Sequence, residues 1–271
     1  MSKRIITLSL VGLAVFGYFI FFKDRNDLVL WFAICLVVAV ISYTYQYQID
    51  QLTIRGVPQK LDPSMRELLL RTSPWFAALK PDQQLMMEDR MVRWIMKKDF
   101  INKNEQKAPE DVKYMLAFYA IMLTLHQENF LYDGLDRIVF YHHPFLSPSH
   151  TDDVHIAEVE AEDGTMIISV PHVIKGHIEQ GYYNIALHMM AESYQKLYLK
   201  SELKWDKNIW SVLEEISSIS KDSIDAYVGL PVNDPWPVSV HHQYVYTGAN
   251  IEEVTRVLPQ LRDYRSYVDA P

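Results

Sequence analysis

Two long apolar runs open the chain. Ile5 to Phe22 holds no charged residue, and neither does the stretch from Leu28 to about Tyr47. Each approaches the ~20 residues a helix needs to cross a hydrocarbon core. Lys23-Asp24-Arg25-Asn26-Asp27 lies between them as a short polar turn. The pattern predicts a transmembrane helical hairpin over residues 1–50. A secretory signal peptide is the rival for the first run, since Lys3-Arg4 resembles a charged n-region. The run is long for that role, and a second apolar run follows at once.

Beyond the hairpin the pattern changes. Residues 51–72 read as a linker interrupted by Pro58 and Pro63. Ser73-Pro74 has the form of a helix start, an N-cap followed by a first-turn proline. Pro81 opens a clearer helix, with Leu85, Met86, Val92, Trp94 and Ile95 near helical spacing. After Pro109, Met115, Leu116, Phe118, Ile121, Met122 and Leu125 are apolar on most faces, as in a buried central helix. Residues 135–141 predict a strand. Val154 to Ala161 and Thr165 to Val170 predict a hairpin turning at Asp163-Gly164. Helices are expected over 182–199, 206–220 and 251–267. Pro231, Pro235 and Pro237 are expected to make a rigid loop, and residues 241–246 are open between helix and strand.

Charge sharpens the topology. Lys3 and Arg4 precede the first run, and Arg55, Lys60 and Arg66 follow the second, whereas the turn carries Lys23 and Arg25 alone. By the positive-inside rule both outer flanks, and the domain after them, face the cytoplasm. Tyr43, Tyr45 and Tyr47 suit an aromatic belt at that exit. The 271-residue chain has a formal charge of -8 and no Lys/Arg block. A nucleic-acid partner is therefore not expected, because phosphate neutralisation needs a clustered basic face. The one cysteine, Cys35, excludes an intramolecular disulfide and a Cys-based metal site.

The candidate chemistry sits in Asn184-Ile185-Ala186-Leu187-His188-Met189-Met190-Ala191-Glu192. His188 and Glu192 are four apart and leave one face of a helix. The zincin motif H-E-x-x-H has this register, with two His on the metal and the Glu as general base. Here Met189 stands at the Glu position and Glu192 at the second His. Alone, the pair reads as an ordinary surface contact.

Its surroundings add more. Met166-Ile167-Ile168-Ser169, then Val173-Ile174-Lys175-Gly176, then the approach to His188 resemble the Mlc titration factor A family of zinc-dependent peptidases. Trp75 to Pro81, Asp89-Arg90, Phe100-Ile101, Ile138 to Tyr141 and Pro144-Phe145 are similar to that family's N-terminal half, and residues 236–267 to its C-terminal stretch. The resemblance covers residues 73–271 as one domain, less the last few residues. It implies an α+β, mainly helical zincin-like fold with a small sheet. The retained first ligand would be His188. Met189 would leave the general-base position without a base. Glu192 and His242, with His241 as neighbour, would stand at the other two ligand positions.

Two imidazoles and a carboxylate are a sound zinc set. The alternative is a charged hydrogen bond between Glu192 and His242 with no metal. The expectation is a membrane-anchored pseudopeptidase of the bacterial inner membrane, acting through a protein partner or membrane complex. Two further readings stay open: a diverged hydrolase drawing its base from Glu214, Glu215 or Asp225, and a structural subunit of a membrane complex. His142, His143, His150 and His155 with Asp152 and Asp153 form a second candidate metal cluster. Ser193 is poorly placed to act as a nucleophile with His188.

Overall fold

The computed structural model describes residues 2–23, 25–45, 58–103, 107–179, 181–199 and 205–246. The chain divides at Gln59 into two compact units.

In the first unit, α1 runs Ser2–Lys23 and α2 runs Val29–Thr44, joined through a single 3-10 turn at Asn26–Leu28. Arg25 grips Asp27 through two 2.8 Å bonds in that turn. The helices cross closely. A Cβ added at Gly12 would lie 2.8 Å from Cys35 Sγ, and one at Gly17 would lie 3.3 Å from the Phe32 ring. Small residues let apolar helices approach where no aqueous hydrophobic effect drives them together. The outward side chains, among them Leu8, Phe21, Phe22, Leu30 and Trp31, are exposed. Ile5–Lys23 is long and apolar enough to cross a membrane. The second apolar run differs from expectation. Leu28 closes the 3-10 turn and the helix after it has 16 residues, short of the ~20 a span needs. Tyr47 lies outside the described residues.

In the second unit, α3 (Pro63–Thr72) and α4 (Pro74–Ala78) precede α5 (Pro81–Lys97), β1 (Asp99–Asn102) and α6 (Glu110–Thr124). Next come β2 (Arg137–Tyr141), β3 (Ala157–Glu160), β4 (Thr165–Ser169) and α7 (Val170–Ile178). The described part closes with α8 (Ile185–Tyr198), α9 (Ile209–Ser217), α10 (Lys221–Val228) and α11 (Pro235–Val245). The result is mainly helical with one four-stranded sheet, in the order β1-β2-β4-β3. β1, β2 and β4 are parallel, and β3 returns antiparallel on the edge.

Several expectations change. The stretch expected as a linker contains α3, whose Leu69 is buried in the core. Asp62 caps it, accepting from Ser64 N, and Pro63 occupies its first turn. β1 has only four residues, too few for its alternation to register. The Phe100 ring stacks on Phe140 of β2. Ser220 and Gly229 bracket the unexpected α10 as N-cap and left-handed C-cap. The expected proline loop is in fact the start of α11. Asp234 caps it, and Pro235 and Pro237 fall in the first turn, where backbone N–H groups have no intrahelical partner to lose. The helix expected over 251–267 lies outside the described residues.

The helix α6 is the buried axis predicted from its composition, with every residue from Met115 to Thr124 buried. Arg90 closes its C-terminal end, donating from Nη1 to the carbonyls of Thr124, Leu125 and Gln127. Against this axis, α7, α11 and β3 pack around α8.

Candidate active-site region around helix α8

The N-terminus of α8 is tied down at Asn184. Its Oδ1 accepts from Leu187 N at 3.0 Å, the N-cap bond that sets the helix start. Its Nδ2 donates to the Tyr119 hydroxyl at 2.5 Å. From there a chain of hydrogen bonds runs with a fixed direction. Thr72 Oγ1 gives its proton to Leu68 O at 2.9 Å, so it accepts from His177 Nε2 at 3.1 Å. Neutral His177 then offers a lone pair at Nδ1, and the Tyr119 hydroxyl donates to it at 2.8 Å. Burial holds His177 neutral, with its pKa lowered to about 4, and pushes the Tyr119 pKa up.

A second chain starts from the backbone of the same residue. Asn184 N donates to His241 Nε2 at 2.9 Å. Neutral His241 therefore carries its proton on Nδ1, which lies 3.1 Å from His242 Nδ1. His242 accepts there and keeps its own proton on Nε2. That nitrogen is buried without a partner among the described residues. The Tyr183 ring stacks on His241 at 4.0 Å, and its hydroxyl lies 2.6 Å from His188 Nδ1. The hydroxyl donates to this ring or accepts from it according to the His188 tautomer. Burial, with lesser repulsion from His242, lowers His188 to about 3. Burial lowers His242 to about 4. His241 is held well below the ordinary imidazole value by burial, then by His242 and His188. All three rings are neutral at pH 7.

The structure thus brings His188, His241 and His242 into one buried group, and Glu192 stands apart from it. Its carboxylate pairs with Lys196 at 2.7 Å. Lys196 also donates to Val159 O. Met189 lies in the core, 2 % exposed. Ser193 donates back to Met189 O at 2.8 Å, which spends its proton within the helix. Glu214 and Glu215 are exposed on α9. Asp225 pairs with Lys221 and accepts from Val232 N, fixing the loop after α10.

The second histidine cluster is organised by a residue the sequence reading passed over. Glu158, on β3, faces His150 Nδ1 at 2.9 Å and His155 Nε2 at 3.1 Å. Burial pushes this carboxyl up, but Ser147, Glu160, His150 and His155 outweigh it and hold it below the ordinary carboxylate value. Asp153 contributes only its backbone carbonyl, to His155 Nδ1. His143 lies against Pro144 O, and His142 Nε2 is buried without a partner among the described residues.

The sequence profile of the family described as glucose-regulated metallo-peptidase M90 matches residues 50–194, just over half of the chain. The chain belongs to this family. It is the Mlc titration factor A family that the sequence resembles. The match includes α3 through most of α8, so His188, Met189 and Glu192 fall within it, whereas α11 lies beyond it. No curated protein matches the chain.

Zinc is the metal this M90 family implies, and the second shell tests the fit. A metal-bound imidazole offers one nitrogen's lone pair and donates its other N–H to a carbonyl, carboxylate or water. Here Nδ1 of His242 receives the proton of His241, the reverse of that pattern, which leaves the His242 proton on Nε2. Among the described residues, no three His, Cys, Asp or Glu side chains form a metal-holding group. The residues present do not fit zinc at this centre.

Proposed function

We propose that this M90 member is a membrane-anchored pseudopeptidase that acts by binding or scaffolding. The observation carrying this reading is Met189, buried at the position that the family motif gives to the general base. A thioether is a weak acceptor and shuttles no protons, and loss of a general base costs ~10²–10⁴-fold in rate. The Glu192–Lys196 pair and the proton placement on His242 support the same conclusion. The apolar α1 supports a membrane anchor, which we read as one in the bacterial inner membrane, and the flanking charges favour a cytoplasmic domain within a membrane complex. The test uses the full chain in detergent with added zinc and follows peptide cleavage. No turnover and well under one zinc per chain are expected. Turnover that chelators abolish and His188→Ala removes would restore the hydrolase reading with a His188, Glu192 and His242 ligand set.

A further inference from the structure

We propose that the cavity between the α7–α8 loop and α10 binds a zwitterion with a methylated ammonium at one end and an anion at the other. This does not depend on the catalytic silence proposed above. The loop gives the cavity Gly181, Tyr182 and Tyr183, while α10 and the turn before it give Ile219, Ile224 and Tyr227. It is open and holds about 270 Å³, just under the ~300–1,000 Å³ of sites for drug-sized ligands. Gly181 keeps the rim clear: its φ is +85°, and a Cβ added there would meet nothing within 4 Å. The rings set the shape. Tyr182 and Tyr183 each meet Tyr227 near a right angle, with interplanar angles of 77° and 69°. A planar aromatic guest enters between parallel faces, whereas rings at right angles make a corner that suits a compact, rounded group. His241 already covers one face of Tyr183, stacked at 4.0 Å. The Tyr227 hydroxyl is buried, so this residue gives the opening ring carbon rather than oxygen.

The guest's charge follows from the lining. Tyrosine ring faces attract cations. Among the described residues that line the cavity none carries a charge. A primary ammonium would bring N–H groups to a surface of rings and aliphatic carbon, and the water they lost would go unreplaced. A quaternary ammonium has no N–H to satisfy, and its methyl groups fit Ile219 and Ile224. Lys175 supplies the other half. It is exposed on α7, with its ammonium 5.4 Å from the Tyr182 ring centroid. At that rim it repels a lone cation and attracts the anionic end of a zwitterion.

The experiment titrates the full chain, in nanodiscs of phosphatidylglycerol, and follows the tyrosine ring signals by NMR. The probes are glycine betaine, tetramethylammonium, acetate and tert-butylacetate, which has the shape of betaine with carbon in place of the charged nitrogen. Betaine should shift the Tyr182 and Tyr227 signals saturably and bind several-fold tighter than the other three. Tyr182→Leu and Tyr227→Leu should each weaken betaine ~2–5-fold, the loss of one cation–π contact. If either variant does not fold, Lys175→Gln carries the test from an exposed position: it should weaken betaine and strengthen tetramethylammonium. Equal binding of betaine and tert-butylacetate would reveal a merely apolar pocket, and equal binding of acetate a lysine contact alone. Either result, or no response to betaine, would overturn the proposal. Loss of betaine binding in nanodiscs of phosphatidylcholine would assign the same site to a lipid headgroup, and unchanged binding to a free solute. Peptide turnover by a betaine-binding protein would sink the silent reading alone. A silent protein that ignores betaine would sink this site alone.

Discussion

Met189→Glu restores the family's base at its motif position and asks whether the side chain faces a core or a wet cleft. The wild-type residue is 2 % exposed. Removing a buried Met side chain forfeits ~1.5–3 kcal/mol, and leaving a carboxylate there uncompensated adds ~3–5 kcal/mol. A cost near 5 kcal/mol is a large share of the ~5–15 kcal/mol that holds a domain folded. At ~2–4 °C per kcal/mol for a domain of this size, the melting temperature should fall by ~10–20 °C at pH 7.5. The sign with pH follows from burial. The new carboxyl would have a folded pKa above its unfolded value of ~4.3. The deficit should therefore be largest near neutrality and shrink as the pH falls towards 5. Met189→Leu, nearly equal in volume, should cost less than ~1.5 kcal/mol. Melting curves of the three proteins at pH 7.5 and 5 decide it. A Met189→Glu protein that melts within ~3 °C of wild type, with no pH dependence, would refute burial at this position.

Asn184→Ala should lower stability by ~1–2 kcal/mol in urea melts through loss of the N-cap, yet leave the His241 tautomer intact, because the donor there is the backbone amide. Arg90→Ala should cost ~1.5–3 kcal/mol by stripping three carbonyls of a charged donor, and hydrogen exchange should rise at the C-terminal turn of α6. His177 has a folded pKa of about 4, below its ordinary 6.5. The unfolded chain therefore takes up the proton first, and stability should drop as pH falls from 6.5 to 4. His177→Gln should flatten that limb in pH-dependent melts. Glu158, held below its ordinary value, stabilises above the unfolded carboxylate pKa and loses this as pH falls through its folded one. Glu158→Gln should remove part of the acid-side loss.

The large periodic features were legible in the sequence, and the local exceptions were not. The apolar stretch of α1, the buried α6 and the β3–β4 hairpin follow from composition and alternation. Pro235 and Pro237 misled because proline breaks a helix interior but suits its first turn, and only the position of Asp234 as cap separates the two cases. The linker reading failed at Pro63 for the same reason. At the site, His188 came from the motif and His242 from the family resemblance, and the two rings lie in one buried group. Glu192 is not with them, since equal helical register does not decide between a buried partner and the lysine four residues on. Tyr119 and His177 had no signal, because their roles come from hydrogen bonds that join segments as much as 105 residues apart.

The dependence of α8 on α11 has a consequence for biosynthesis. Asn184 leaves the ribosome 57 residues before the His241 ring that accepts from its amide. Ala191 waits 45 residues for the Trp236 indole that caps its carbonyl. Until then one flank of α8, with its methionines, has no cover. On the anchoring proposed above, α1 is by that stage already available to a membrane, so an unfinished domain would be held at the bilayer surface rather than free to diffuse. A nonsense codon anywhere between Tyr198 and Pro235 would create a tethered, sticky fragment, the kind of client that membrane-bound quality-control proteases are positioned to extract.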